Sequence, residues 1–171
     1  MSAANALTLF RALAGIPIFI AIGYGERTAA LALFVFAAIS DALDGFLARR
    51  GGTADGHGML LDPLADKALV LLTLIALALA GSAPLGVAAI VVVREVLVGA
   101  VRVLGYRNGL RTHAAPAGKV KTTCEMAALA LLIARPTVLA ADVGAALLTV
   151  AALIGILTLP AYVPHTRRRF T

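Results

Sequence analysis

Six long apolar stretches account for most of this 171-residue chain. Each approaches the roughly 20 apolar residues that a helix needs to cross the hydrocarbon core of a membrane. Gly, Pro and Ser residues separate several of them, and no stretch keeps the strict alternation of a barrel strand. The stretches cover residues 7–24, 28–47, 60–80, 85–104, 120–134 and 139–163. The pattern predicts an all-α fold, a polytopic bundle of six transmembrane helices that forms a single domain over residues 1–171.

The composition excludes the main alternatives. Apolar residues make up 61% of the chain and charged residues 14%, whereas soluble domains average about 45–50% and about 25%. A soluble protein of this size would expose large apolar patches. The long apolar runs exclude intrinsic disorder, and a single cysteine excludes a disulfide scaffold. The sequence therefore predicts an integral membrane protein with a net charge of +6.

The positions of the cations predict the orientation of the bundle. Six spans place both termini on one side of the membrane, and this topology assigns twelve of the fifteen Lys and Arg residues to that side. Arg27 and Arg135 fall on the other side, and Arg94 lies within the fourth span. Since cytoplasmic loops carry an excess of Lys and Arg, we expect both termini to be cytoplasmic.

Acidic residues cluster at one place in this apolar chain. Five of the nine lie between residues 41 and 66. Asp41 and Asp44 are spaced i, i+3 at the cytoplasmic end of the second span, and Asp62 and Asp66 are spaced i, i+4 at the start of the third, so each pair shares a helix face. A short loop predicts that the two helices are antiparallel neighbours. The four carboxylates are therefore expected to converge near the cytoplasmic membrane surface.

Four converging carboxylates require a positive partner, because burying them unpaired costs several kcal/mol each. Clustered oxygen ligands without His or Cys are typical of two Mg²⁺ or Mn²⁺ ions. Two such ions can clamp a phosphate or pyrophosphate for in-line attack. The small residues Gly45, Ala48 and Gly58 would let a ligand approach the backbone. The spacing alone leaves open which of the four carboxylates acts as a general base.

Two other interpretations of these acids remain. A charged helix end that faces water explains Asp55 and Arg50, but it explains poorly the acids on two adjoining spans. A proton or cation relay is the second, since acids within a membrane often mark ion pathways. A relay predicts acids near the middle of a span, whereas these lie at the cytoplasmic ends.

The complete segment, Asp41-x2-Asp44-Gly45-x2-Ala48-Arg49-x8-Gly58-x3-Asp62-x3-Asp66, resembles the signature of the CDP-alcohol phosphotransferase family. The resemblance implies a six-span enzyme in which an alcohol attacks the lipid-bearing phosphorus of CDP-diacylglycerol and expels CMP. It further implies that Asp41, Asp44 and Asp62 hold two metal ions, with Asp66 near the second ion and serving as the general base. The residues that it assigns to the CDP group are Asp41, Gly45, Ala48, Arg49 and Gly58.

Four further segments resemble the branch of this family that uses glycerol 3-phosphate as the acceptor. They are Asn5-x2-Thr8-x2-Arg11, Asp62-Pro63-x2-Asp66-Lys67, Arg94-Glu95 and Gly118-Lys119-Val120-Lys121-Thr122. This resemblance implies CDP-diacylglycerol, glycerol 3-phosphate and membrane lipids as partners, no nucleic acid, and a location in a bacterial-type inner membrane. Other acceptors known in the family, namely phosphatidylglycerol (giving cardiolipin), inositol phosphate and serine, remain alternatives.

An acceptor that carries its own phosphate needs fixed cations near the metal site. The candidates are Arg94, Arg102 and Lys121, followed by Arg111 and Lys119. The alternative for these cations is contact with anionic lipid headgroups. Arg94 also needs an acidic partner because it lies within a span, but its neighbour Glu95 points about 100° away around the helix.

Lys121 and Glu125 form an i, i+4 pair. Near the start of the chain, Asn5, Thr8 and Arg11 share one face, and they either contact the nucleotide or a substrate phosphate or serve as an interfacial anchor. The glycines at 15, 99, 144 and 155 are typical of close helix packing. Such packing is also compatible with a homodimer.

Overall fold

The structure is a computed structural model, and it describes residues 3–51, 62–107 and 116–159. Within these ranges the chain forms six α-helices and no strand. The helices are α1 (Ala3–Gly23), α2 (Arg27–Gly51), α3 (Asp62–Leu79), α4 (Leu85–Arg107), α5 (Pro116–Ala134) and α6 (Val138–Leu157). The all-helical prediction and the number of helices are confirmed, and each predicted stretch contains most of one helix.

The helix ends extend beyond the apolar stretches in several places. Helix α2 continues through Gly51, and α5 begins at Pro116, where a proline is favourable because the first helical N–H needs no partner. Helix α6 begins after Thr137, whose hydroxyl accepts a hydrogen bond from the backbone N–H of Ala140 at 3.1 Å. A run of apolar residues identifies the part of a helix that can lie in a membrane. The helix itself can extend further, because backbone hydrogen bonding continues into the polar residues on either side.

The helices pack around a core that includes Ile18, Phe34, Leu74 and Leu129. Helix α1 packs on α2 and α3, α4 packs on α3 and α6, and α5 packs on α2, α3 and α6. In the described part of the chain, α2 and α3 do not form an extensive contact with each other. Helices α1 and α5 each contact both of them, and α2 and α3 line a common cavity. The loop that joins α2 to α3 lies outside the described residues, so their arrangement as antiparallel neighbours stays a prediction.

The described residues place several polar side chains in an otherwise apolar interior and many large apolar side chains on the exterior. Charged and hydroxyl side chains are buried, among them Thr73, Arg94 and Glu95. Large apolar side chains are exposed on the outside, for example Phe36 at 62% and Leu153 at 55%. Soluble proteins seldom bury charged residues this completely. In the described ranges one helix, α6, is both long and apolar enough to cross a membrane, and apolar segments of 10–17 residues lie in α1, α2 and α3.

The end of the bundle where α2 begins carries two arginines. The Arg27 and Arg135 guanidinium groups each donate a hydrogen bond to the Ser82 hydroxyl, both with N···O distances of 3.4 Å. Ser82 lies in the turn between α3 and α4, directly after Gly81, whose φ of +63° favours glycine. Arg27 and Arg135 are the two cations that the sequence assigns to the non-cytoplasmic side, and the structure brings them together.

Glycine allows close approach of helices at some positions but not at others. A Cβ added at Gly15 would lie 2.7 Å from Leu72 Cδ1 and 3.2 Å from its Cβ, whereas a Cβ at Gly99 would meet nothing within 4 Å. Among the described residues, close packing is therefore confirmed at Gly15, where α1 meets α3, and it is not observed at Gly99.

We expect Gly15→Ala to lower the free energy of unfolding by about 1–3 kcal/mol, because the added methyl group forces Leu72 to move. The matched control, Gly99→Ala, is expected to be neutral or slightly stabilising, because alanine is the better helix former by about 1 kcal/mol. Thermal unfolding of the two variants in detergent compares these effects. Equal stability of the variants would contradict the packing described for α1 and α3.

Candidate functional site

The backbone places the four acidic residues of the signature on two helices that flank the cavity. Asp41 and Asp44 lie one turn apart in α2, and Asp62 and Asp66 lie in the first turns of α3. The positions of Gly45, Ala48 and Arg49 follow in α2, and Gly58 lies outside the described residues. Four carboxylates offer only oxygen donors, and this donor set fits hard divalent cations.

A cluster of five charged side chains, four of them buried, lies beside this acidic end. It consists of Lys67, Arg94, Glu95, Lys121 and Glu125, which we call the Glu95 cluster. The Glu95 carboxylate is 2% exposed and forms ion pairs with Lys67, Arg94 and Lys121. Three helices, α3, α4 and α5, are tied together through one side chain. The five groups of the cluster carry three positive and two negative charges.

Arg94 extends the Glu95 cluster to α6. Its Nε donates to the Gly155 carbonyl at 3.2 Å, and its Nη2 donates to the Thr158 hydroxyl at 3.2 Å. A Cβ at Gly155 would lie 3.2 Å from Arg94 Nε, so the glycine provides space for the guanidinium group. The sequence predicts an acidic partner for Arg94, and the structure shows that it is Glu95. The long arginine side chain spans the 100° between the two positions.

Lys121 joins the two carboxylates of the cluster. Its Nζ donates to Glu125 Oε2 at 2.6 Å and also pairs with Glu95. The predicted i, i+4 pair of Lys121 and Glu125 is confirmed. Both residues are 2% exposed. Their charges are therefore paired where water cannot screen them.

A cavity of about 90 Å³ lies between α2, α3, α4 and α5. Lys67, Glu95, Thr122 and Glu125 supply its polar lining, and Ala38 and Val70 supply part of its apolar lining. Lys67 directly follows Asp66 in α3, so the cavity adjoins the acidic end of the bundle. Such a cavity can hold a small polar molecule between cations and carboxylates.

The remaining predicted site residues are placed only in part. Arg102 lies in α4, Lys119 in α5, and Asn5, Thr8 and Arg11 in the first half of α1. Arg111 lies outside the described residues. The roles predicted for all of these residues, and for Arg94 and Lys121, stay predictions.

Sequence reasoning did not identify Lys67, Thr122 and Glu125 as residues that line the cavity. Spacing along one helix identifies side chains on a shared face, but it does not show which face of a neighbouring helix they meet. One signal was present for Lys67, which ends the Asp62-Pro63-x2-Asp66-Lys67 segment. The contact of Lys67 with Glu95 depends on the packing of α3 against α4.

Comparison with known proteins gives a consistent result. The family model for CDP-alcohol phosphatidyltransferase matches residues 1–159, which include all six helices. Proteins from Shigella flexneri and from Escherichia coli strain K12 are 37% identical to this chain over 172 aligned residues. The alignments cover 94% of this chain and 92% of each relative. Both relatives are named CDP-diacylglycerol–glycerol-3-phosphate 3-phosphatidyltransferase.

Proposed function

We propose that this chain, which belongs to the CDP-alcohol phosphatidyltransferase family, transfers a phosphatidyl group from CDP-diacylglycerol to glycerol 3-phosphate. The products are phosphatidylglycerol phosphate and CMP. The observation that carries this proposal is the match over nearly the whole chain to relatives whose name states this reaction. The acidic positions on α2 and α3 beside a cavity with cationic and acidic walls agree with it.

We further propose that the six helices all cross a bacterial inner membrane as a single domain over residues 1–171, with both termini in the cytoplasm. The exposed apolar side chains and the buried charges support a lipid-facing exterior. Arg27 and Arg135 meet at one end, and the Glu95 cluster lies toward the other. This separation supports a site that opens to the cytoplasm, where a water-soluble acceptor is present. Homodimer formation stays a prediction.

Divalent metal ions are general in this family, and we propose that this chain binds two, either Mg²⁺ or Mn²⁺. Asp41, Asp44 and Asp62 would hold them, with Asp66 next to the second. When bound, such ions neutralise the pyrophosphate and polarise the phosphorus that is attacked.

The residues of the chain have separate tasks in the proposed reaction. Asp66 accepts the proton of the attacking hydroxyl group, whose oxygen forms a bond to the lipid-bearing phosphorus as the bond to CMP breaks. Gly45, Ala48 and Gly58 leave space for the CDP group, and Arg49 lies near its phosphates. The cations at positions 94, 102 and 121, with those at 111 and 119, attract the phosphate of the acceptor. Asn5, Thr8 and Arg11 contact the nucleotide or a substrate phosphate.

A CMP-release assay with purified protein, CDP-diacylglycerol and Mg²⁺ or Mn²⁺ tests the proposed acceptor. We expect release with glycerol 3-phosphate and little release with phosphatidylglycerol, inositol phosphate or serine. Release that depends on one of the other three acceptors would assign the chain to a different reaction of the same family. A cation or proton transporter would instead show ion flux in liposomes without any CDP lipid.

Arg102 provides a test of the acceptor side. We expect Arg102→Ala to raise the KM for glycerol 3-phosphate about 10- to 100-fold, because a charge-assisted hydrogen bond to phosphate is worth about 1.5–3 kcal/mol. The KM for CDP-diacylglycerol is expected to change less than about twofold if the two substrates occupy separate positions. Steady-state kinetics with each substrate varied in turn measures both values.

The matched control is Arg27→Ala, at the opposite end of the bundle beside Ser82. This variant is expected to keep both KM values. Equal increases for the two substrates in Arg102→Ala would indicate a structural role for that arginine.

A further inference from the structure

One buried carboxylate oxygen in the Glu95 cluster has no hydrogen-bond partner among the described residues. Glu125 is 2% exposed, and its Oε2 accepts a hydrogen bond from Lys121 Nζ at 2.6 Å. Its Oε1 is buried and makes no hydrogen bond within the part of the chain that the structure describes. Buried polar atoms in native proteins nearly always have partners, and an exception calls for a specific explanation. The same side chain lines the cavity of about 90 Å³, which is large enough for several water molecules or a small polar ligand.

The chemistry of this oxygen indicates what kind of group it binds. An ionised carboxylate oxygen can only accept hydrogen bonds. The negative charge of Glu125 is already balanced through Oε2 by the Lys121 ammonium group. An uncharged donor therefore suits Oε1 better than a second cation, and a hydroxyl group is the compact donor of that kind.

The rest of the cavity lining specifies the ligand further. Lys67 lines the cavity and pairs with Glu95, and the Glu95 cluster as a whole carries one more positive than negative charge. The Thr122 hydroxyl, which donates to the Gly118 carbonyl at 3.0 Å, can still accept a hydrogen bond. A ligand with an anionic group and a nearby free hydroxyl group matches both the excess positive charge and the carboxylate oxygen. Glycerol 3-phosphate has these groups, because one hydroxyl attacks the phosphorus and a second, on its central carbon, takes no part in bond formation.

We propose that Glu125 Oε1 accepts a hydrogen bond from the central hydroxyl group of the acceptor, so that Glu125 determines acceptor specificity. This inference rests on the proposed function. Glu125 neither donates nor takes a proton in the reaction. An acceptor without the central hydroxyl leaves Oε1 unpaired, and a site built around a substrate hydroxyl discriminates strongly against an analogue that lacks it.

The test compares two acceptors that differ only in this hydroxyl group, glycerol 3-phosphate and 3-hydroxypropyl phosphate. The ratio of their kcat/KM values for CMP release is measured for the wild-type protein and for Glu125→Ala. We expect the wild-type protein to prefer glycerol 3-phosphate by at least about 10-fold. In Glu125→Ala, where the accepting oxygen is gone, we expect the ratio to fall to within about threefold of unity.

A second variant covers the case in which Glu125→Ala fails to fold. Glu125→Met keeps the side-chain length but carries no oxygen or nitrogen atom that could form a hydrogen bond with the central hydroxyl group. The preference for glycerol 3-phosphate is therefore expected to fall in this variant as well. Asp142→Asn, an exposed carboxylate-to-amide change in α6, is the matched control and should keep the wild-type ratio.

The outcomes are distinguishable. If the wild-type protein does not discriminate, or if the variants lose activity equally toward both acceptors and keep the wild-type ratio, Glu125 has only a structural role and the proposal is wrong. If the wild-type protein releases CMP with another acceptor class and not with glycerol 3-phosphate, the proposed function itself fails, and this proposal fails with it.

Discussion

The rate of CMP release from CDP-diacylglycerol is expected to fall at least about 10³-fold in the Asp66→Asn variant. This loss lies in the upper part of the range, about 10²- to 10⁴-fold, that a general base contributes. The amide cannot accept the proton of the attacking hydroxyl group, and it is also a poorer ligand for a divalent cation. Asp66 lies in the second turn of α3, and we expect the substitution to leave the helix intact. CMP release by the purified variant at saturating substrate measures the loss.

The same Asp142→Asn variant controls for the chemical change itself, because it converts an exposed aspartate far along the chain, in α6. It should retain wild-type turnover. Both variants should unfold within a few degrees of the wild-type protein. An Asp66→Asn protein that folds and turns over near the wild-type rate would remove Asp66 from the role of base.

A second large effect is expected at Glu95, and it concerns stability rather than chemistry. Glu95→Ala removes the carboxylate that pairs with Lys67, Arg94 and Lys121. Removing one partner of a buried ion pair costs about 3–5 kcal/mol, because the remaining charges stay buried. For a chain of this length that corresponds to a decrease in Tm of roughly 10 °C. Thermal unfolding in detergent measures it.

Glu26→Ala is the matched control, since Glu26 is exposed in the turn between α1 and α2. Its Tm is expected to stay within about 2 °C of the wild-type value, as for most exposed substitutions. A Glu95→Ala protein as stable as Glu26→Ala would show that Glu95 does not hold α3, α4 and α5 together.

The helices were predictable because their main signal is local. Runs of apolar residues interrupted by Gly, Pro and charged turns identify six elements, and the structure contains six helices within the described residues. Their ends were less predictable. The apolar run in α5 starts near Val120, yet the helix starts at Pro116, because a helix end depends on backbone hydrogen bonding and not on hydrophobicity.

In the candidate site, too, features within one helix were predictable and contacts between helices were not. The spacing of Asp41 with Asp44, and of Asp62 with Asp66, predicts shared faces because each pair lies within one helix. The Lys67–Glu95 and Arg94–Gly155 contacts join different helices. They depend on how the helices rotate and pack against one another, which a single sequence does not specify. The unpartnered oxygen of Glu125 also depends on helix packing, so it can be identified only in the folded structure.

Transfer of label from glycerol 3-phosphate into lipid tests the central claim most directly. Purified protein is incubated with CDP-diacylglycerol, a divalent cation and carbon-labelled glycerol 3-phosphate, and both the organic-phase label and released CMP are measured. We predict one labelled phosphatidylglycerol phosphate formed for each CMP released, and no labelled lipid when the metal is chelated. CMP release with all label left in the aqueous phase would contradict the proposed transfer.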